Sequence, residues 1–228
     1  MREVPSTEQI GDFRRKLLDW FHKSGRDYPW RQTNDPFKVL IAEIMLRRTK
    51  ADQVKPAYVT FFERYPDMKS LAEASDDELE QILYPLGLRW RSPAFKLVAR
   101  EIREKYNCRV PETREELTEL PGVGDYVAGA VLAIAFKKAE WVVDSNIVRL
   151  FKRYFGVDTS KEGRRDKHII EMAKTYVKGE DPRGANLALV DFSALICTPR
   201  EPKHLDCPLR EDCKYYLKKK FGDNQMLL

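Results

Sequence analysis

Residues 120–124 read Leu-Pro-Gly-Val-Gly and separate a charged helical segment from the small, apolar run 126–136. Gly122 and Gly124 allow the backbone to turn tightly, and the turn leaves N–H groups free at the start of the next helix. Because a helix N-terminus favours an anion, Gly122, Val123 and Gly124 can bind a phosphate without any side chain. Most glycine turns of this kind only connect two helices, so this segment alone leaves both interpretations open.

A carboxylate follows the glycine turn. Residues 142–146 read Val-Val-Asp-Ser-Asn, so Asp144 follows apolar residues and precedes a helical segment that carries Val148, Leu150 and Phe151. An acid at the start of a helix is most often an N-cap, which accepts hydrogen bonds from free N–H groups. Within this segment alone, capping and catalysis are equally good interpretations.

The whole chain has helical patterning. Apolar residues recur three and four positions apart, and short Pro, Gly or Asp breaks separate the runs. No segment has a convincing strand pattern, so the sequence predicts an all-α protein. After a first helix that begins near Ser6 or Thr7, we expect helices over residues 37–48, 50–65, 68–73, 76–83, 92–106, 114–120, 124–136, 145–155, 164–177, 184–196 and 212–221.

The composition favours an anionic partner only modestly. The 228 residues include 41 Lys and Arg against 36 Asp and Glu, a net charge of +5 with a pI near 8.9, and an ordinary soluble protein can have the same balance. The longest nearly apolar stretch is too short for a bilayer, which needs roughly 20 residues. The N-terminus lacks a signal-peptide pattern, so we expect a cytoplasmic protein whose cysteines serve metal or thiol chemistry.

The glycine turn and the Val-Val-Asp segment together resemble the helix-hairpin-helix DNA glycosylases. This superfamily includes endonuclease III, the adenine glycosylase that acts on A opposite oxidised G, and the thymine glycosylase that acts on G/T mismatches. The resemblance covers nearly the whole chain and implies two helical lobes that flank a DNA-binding cleft. One lobe would be a six-helix barrel over residues 25–136, which includes the hairpin. The other would combine residues 1–24 with 137–228.

The resemblance implies roles for three polar residues. Asp144 would be the catalytic carboxylate, because a fixed anion stabilises the positive charge that develops on the sugar as the N-glycosidic bond breaks. Asn146 would orient Asp144 at the DNA interface, although a helix-start role explains it equally well. Tyr126 stands where the endonuclease III type has a lysine that forms a Schiff base. Since tyrosine cannot form an imine, the implied enzyme is monofunctional.

Residues 25–49 resemble the adenine and G/T thymine glycosylases more closely than endonuclease III. Glu43 aligns with the acid that protonates the departing base in the adenine enzyme, and apolar neighbours should raise its pKa. A solvated glutamate is the alternative. Arg47 and Arg48 stand where the adenine enzyme has two glutamines. Paired arginines match the G/T thymine glycosylases, because guanidinium donors suit O6 and N7 of an orphaned guanine.

A second DNA-contacting loop is expected at residues 87–91, where the adenine enzyme inserts an aromatic wedge beside oxidised guanine. We expect Leu88 and Arg91 to contact DNA. Arg91 stands in the place of the wedge, which weakens the case for recognition of oxidised guanine, although Trp90 could stack on a base.

Four candidate metal ligands, Cys197, His204, Cys207 and Cys213, lie near the C-terminus. Their spacing matches the C-x6-C-x2-C-x5-C loop of the superfamily, with histidine at the second position. The pattern predicts a [4Fe-4S] cluster with three cysteine ligands and one histidine. Zinc is the alternative, because the same donors make an ordinary tetrahedral zinc site. Cys108 lies outside the loop and should be structural.

The resemblance and these residues together predict a monofunctional glycosylase of base excision repair that removes thymine, and also uracil, opposite guanine. An adenine glycosylase reduced to its catalytic core is the alternative, since Glu43, Tyr126 and Asp144 occur in both kinds of enzyme. A silent DNA-binding or redox-sensing module would gain nothing from two acids beside phosphates. The expected partner is duplex DNA with a mismatched base, bound by a monomer at the nucleoid and not by a membrane protein.

Overall fold

The computed structural model describes residues 4–87 and 92–222. Within these ranges the chain forms α-helices and short 3-10 turns and no β-strand, which confirms the predicted all-α class. In the same ranges, no helix is both long enough and apolar enough to cross a membrane. The α-helices are α1 (Thr7–Ser24), α2 (Pro36–Leu46), α3 (Ala51–Arg64), α4 (Met68–Ala72), α5 (Asp76–Leu83), α6 (Ser92–Tyr106), α7 (Arg114–Glu119), α8 (Asp125–Ile134), α9 (Ser145–Phe155), α10 (Lys167–Tyr176), α11 (Pro182–Leu195) and α12 (Lys214–Phe221).

The chain divides into two compact units. Residues up to Arg26 join those from Ala139 onward in one unit, and Asp27–Lys138 form the other. The second unit therefore contains α2 to α8, and the first contains α1 and α9 to α12. The observed unit differs from the expected lobe of residues 25–136 by two residues at each end.

Helices α2 and α8 form the centre of the unit Asp27–Lys138. Residues 39–45 of α2 and 127–134 of α8 are all buried, and the two helices pack against each other. Because these segments are apolar on nearly every face, they are stable only inside the unit. α2 begins where the Asp35 carboxylate accepts hydrogen bonds from the N–H groups of Phe37 and Lys38.

The end of α2 differs from the sequence expectation. The helix stops at Leu46, whereas the patterning predicts residues 37–48. Arg47 has an extended backbone, and Arg48 has a left-handed φ of 61°, a conformation that costs a non-glycine residue about 1–2 kcal/mol. The two arginines therefore lie on a connecting segment and not on a helix face.

The other unit is organised around Phe13 of α1, whose side chain is completely buried. Burial of such a side chain contributes about 1.5–3 kcal/mol. Its ring lies 4.6 to 5.9 Å, centroid to centroid, from those of Phe151, Tyr154, Phe155 and Tyr176. These contacts fix α9 against α1 and so give the N-terminus of α9 a rigid support.

Candidate active site and metal-ligand cavity

The predicted hairpin lies between α7 and α8. Gly122 has a left-handed φ of 76°, and the N–H of Val123 donates to the carbonyl oxygen of Leu120 at 3.0 Å. Gly124 begins α8 without a side-chain cap, and a Cβ placed there would have no atom within 4 Å. The space beside Gly124 is therefore open, and a phosphate oxygen can approach the N-terminus of α8 there.

The structure brings Arg47 to this hairpin. Its Nη1 donates a hydrogen bond to the carbonyl oxygen of Gly122 at 2.7 Å, across 75 positions of sequence. Both Arg47 and Arg48 are exposed. Arg47 is therefore a surface cation held directly beside the candidate phosphate site.

Glu43 is a buried acid within α2. Only 6% of its surface is exposed. Burial raises its pKa to about 7, and the positive charge of Arg31 acts in the opposite direction. At neutral pH such a carboxyl is protonated in about half of the molecules, which suits a general acid. The apolar surroundings expected from the sequence are present.

Asp144 is the N-cap of α9, and hydrogen bonds hold both of its carboxylate oxygens. Oδ1 accepts from the backbone N–H groups of Asn146 and Ile147 at 2.9 and 2.8 Å. Oδ2 accepts from the side-chain amide of Asn146 at 2.8 Å. The carboxylate is only half-buried, so the cap does not close it off. Capping and catalysis are therefore compatible roles.

Arg149 extends this network, and the sequence analysis did not single it out. Its Nη1 donates to Oδ1 of Asn146 at 2.8 Å. Its Nη2 donates to the backbone carbonyls of Ser193 and Cys197 at 2.8 and 2.9 Å. Asn146 is thus held with its amide nitrogen toward Asp144. The signal for Arg149 was its position three residues after Asn146, on the same face of α9.

The remaining predicted site residues are distributed over both units. Tyr126 is half-buried in the first turn of α8, in the same unit as Glu43. Asp144 and Asn146 belong to the unit that contains α9. The expected DNA contacts Leu88 and Arg91 lie outside the described residues.

The four candidate metal ligands Cys197, His204, Cys207 and Cys213 line one cavity. Within the described part of the chain, Nε2 of His204 is buried and has no hydrogen-bond partner. An unsatisfied buried polar atom costs about 1–3 kcal/mol, so a ligand bond to this nitrogen would remove an unfavourable feature. Three thiols and an orphaned imidazole nitrogen around one space fit a metal group.

Arg153 supports the wall of this metal-ligand cavity. Its guanidinium donates to Sγ of Cys197 at 3.6 Å and to the carbonyl oxygens of Thr198 and Pro199 at 2.6 and 2.8 Å. It also lies over the ring of Tyr215, 4.7 Å from the centroid. One cation therefore contacts a candidate ligand, its loop and α12.

Burial raises the pKa of the Cys207 thiol to about 11 and also raises that of Cys213. Both thiols are thus protonated at neutral pH when no metal ion is bound. Since a metal ion binds the thiolate, metal binding at this cavity would release their protons.

Comparison with known proteins identifies the family. A sequence family described as HhH-GPD superfamily base excision DNA repair protein matches residues 41–175. This chain belongs to that superfamily. The matched region includes Glu43, the hairpin and Asp144, so the family predicted from these residues is confirmed.

Other HhH-GPD proteins match over most of their length. A thymine/uracil-DNA glycosylase of Methanothermobacter thermautotrophicus is 40% identical over 203 residues, which cover 89% of this chain and 92% of that protein. The solved structure of a thermostable thymine-DNA glycosylase has a TM-score of 0.88 and 39% identity, covering 92% of this chain and 98% of that one. An adenine DNA glycosylase of Buchnera aphidicola is 32% identical over 91% of this chain and 59% of its own length. These similarities confirm that this HhH-GPD chain is a DNA glycosylase.

Proposed function

We propose that this protein is a monofunctional DNA glycosylase that hydrolyses the N-glycosidic bond of thymine or uracil opposite guanine in duplex DNA. The observation that carries the proposal is the match over 92% of a thymine/uracil-DNA glycosylase. The Arg47–Arg48 pair supports it, since guanidinium groups donate to O6 and N7 of the guanine left unpaired after base flipping. The enzyme acts as a monomer.

Asp144 stabilises the positive charge that develops on the deoxyribose as the bond between C1′ and the base breaks. Its carboxylate accepts three hydrogen bonds, so the anion is already oriented and needs no rearrangement during the reaction. Asn146 is the positioning residue, because it supplies two of these donors and is itself held by Arg149.

Glu43 supplies the proton with which the base leaves, since its pKa of about 7 keeps that proton available at neutral pH. Water bonds to C1′ as the base departs and loses a proton to solvent, and Glu43 takes a proton back from solvent, so the sum is hydrolysis to a free base and an abasic site. Tyr126 has no amine that could attack C1′, and strand cleavage therefore does not accompany excision.

The Gly122-Val123-Gly124 turn and the N-terminus of α8 hold a DNA phosphate next to Arg47 through backbone N–H groups other than that of Val123, which donates to Leu120. This contact carries no sequence information, so it positions the duplex while the arginines read the orphaned guanine. Leu88 and Arg91 complete the expected DNA contacts.

The residues Cys197, His204, Cys207 and Cys213 hold a [4Fe-4S] cluster in this proposal. All four line one cavity, yet within the described ranges no three His, Cys, Asp or Glu side chains converge closely enough to hold a single ion. Zinc bound by the same four donors is the alternative. Bound by these four residues, such a cluster would cross-link the loop to the helices around it and would supply no step of base excision.

Incubation with duplexes that contain G/T, G/U or A opposite oxidised G, followed by alkali, tests the activity. We expect cleavage of the thymine and uracil strands after alkali and no strand breaks before it. Cleavage of the adenine strand alone would replace this proposal by an adenine glycosylase. Breaks without alkali would contradict the monofunctional mechanism.

A further inference from the structure

A second cavity, which we call the α9 groove, lies wholly in the unit that contains α9. It encloses about 1060 Å³ between α9, the segment 159–164 and α12, and begins at Ser145, the residue after Asp144. Arg149 and Arg153 of α9 lie along it. Five further cations line it, namely Lys152, Lys161, Arg164, Lys214 and Lys218.

Three of the cations that line the α9 groove have no partner in the part of the chain that the structure describes. Glu162 is the acid that lines it, and its carboxylate already lies 3.4 Å from Nη1 of Arg165. Lys152, Lys161 and Arg164 are exposed, and within the described part of the chain their side chains form no hydrogen bond or ion pair. Cations gathered in a concave surface concentrate the field and attract an anion.

The wall of the α9 groove is anchored and does not depend on a ligand for its shape. The buried carboxylate of Asp166 accepts hydrogen bonds from the N–H groups of Ser160 and His168 at 2.6 and 3.0 Å. Gly163 packs so closely on α9 that a Cβ there would lie 2.7 Å from Cγ1 of Val148. The backbone that carries Lys161 and Arg164 is therefore fixed against α9.

We propose that the α9 groove binds the sugar-phosphate backbone of DNA next to the base being excised. This rests on the proposed function, which makes duplex DNA the substrate. The groove starts beside Asp144, and seven of its fifteen lining residues are Lys or Arg, the residues that contact phosphates. An acidic protein segment fits less well, because Val148 and Tyr215 are the large apolar or aromatic side chains in its lining, whereas protein interfaces have apolar and aromatic centres.

The test is duplex binding by the double variant Lys161→Glu/Arg164→Glu, measured by fluorescence anisotropy with a labelled G/T duplex at several salt concentrations. A matched control is Lys23→Glu/Lys178→Glu, which reverses two exposed cations of the same unit outside the groove. Both variants lower the formal net charge from +5 by four units to +1. Neither changes a residue that touches the reacting atoms.

We expect the groove variant to bind about tenfold more weakly and its salt slope, d log K/d log[salt], to fall by about two. The control should retain the wild-type affinity, salt slope and excision rate. If charge reversal impairs folding, the variant Lys161→Ala/Arg164→Ala is measured instead. It should also weaken duplex binding and lower the salt slope, both by smaller amounts.

Equal affinity and salt slope for the groove and control variants would overturn the proposal, even if excision is normal. If the wild type excises none of the bases, the proposed activity fails. A smaller salt slope for the groove variant, with an unchanged slope for the control variant, would then still support the groove as a DNA-backbone site. The two failures are therefore distinguishable.

Discussion

Asp144 is the N-cap of α9 and, in the proposed function, also the catalytic carboxylate. It caps α9 through two backbone N–H groups, and its other oxygen is oriented by the Asn146 amide. The cap fixes the position of the charge, and the half-buried position leaves it accessible. At this site structural and catalytic requirements favour the same residue.

Replacing Asp144 by Asn separates these functions. Asn caps a helix about as well as Asp, so the free energy of unfolding should change little, while loss of the anion should lower the single-turnover excision rate by at least about 10²–10³-fold. Duplex binding should be retained. The comparison variant Asp144→Ala should also lose about 1 kcal/mol of stability, measured in urea, because the cap is removed. Excision by the Asn variant at the wild-type rate would contradict the mechanism.

Glu43 should make stability depend on pH. Its pKa rises from 4.5 to about 7 on folding, so the folded state binds this proton more tightly than the unfolded state does. The stability that the folded state gains from the protonated Glu43 is fully present below pH 4.5 and is lost as the pH rises through 7. This difference in the pKa of Glu43 corresponds to about 3 kcal/mol in the free energy of unfolding. In urea, Glu43→Gln should therefore be more stable than the wild type at pH 8, and this gain should vanish near pH 4.5. The matched control is Glu63→Gln at an exposed position of α3.

The same residue should control the pH profile of excision. If Glu43 donates a proton, the single-turnover rate should fall as the pH rises through about 7. Glu43→Gln should remove this fall and lower the rate by about 10²–10⁴-fold. A wild-type rate that is constant through this range would exclude Glu43 as the acid.

At the scale of elements, the helices were largely predictable because their signals are local. The expected helix 145–155 matches α9, and the expected 114–120 differs from α7 by one residue. The expected 164–177 is shorter in the structure, since residues 163–165 form a 3-10 turn before α10 begins at Lys167. Asp166 caps α10 and also accepts from Ser160, a contact outside the helix that periodicity does not show.

The hairpin offers a test in which two glycines behave differently. Gly122→Ala places a side chain at a φ of 76° and should destabilise the protein by about 1–2 kcal/mol. Gly124 has a φ of −114° and open space around it, so Gly124→Ala should fold normally. Because its methyl group would stand at the start of α8, where the phosphate is proposed to bind, Gly124→Ala should still weaken duplex binding severalfold. Denaturation in urea and duplex anisotropy measure the two effects, and unchanged binding by Gly124→Ala would argue against a phosphate at the turn.

At the scale of the whole molecule, the metal-ligand cavity joins the C-terminal loop to α9 and α12. His204→Ala should reduce bound iron, weaken the visible absorption of the cluster and lower the melting temperature, because a ligand to the cross-link is lost. Cys108→Ser is the control, since Cys108 is exposed and lies outside the cavity. A colourless wild-type protein that contains stoichiometric zinc would contradict the cluster.

The amino-acid sequence by itself determined the helices, the glycine turn, the cap at Asp144 and the spacing of the metal ligands. These features depend on hydrogen bonds and conformational preferences among residues a few positions apart, and such preferences can be read from neighbours along the chain. The family resemblance follows from the same short motifs.

Only the tertiary structure decided that Arg47 contacts Gly122, that burial raises the pKa of Glu43 to about 7, and that the α9 groove collects seven cations. Each of these depends on atoms from segments far apart in sequence. Desolvation and electrostatic fields are set by everything that surrounds a group in space, so no local pattern of residues specifies them.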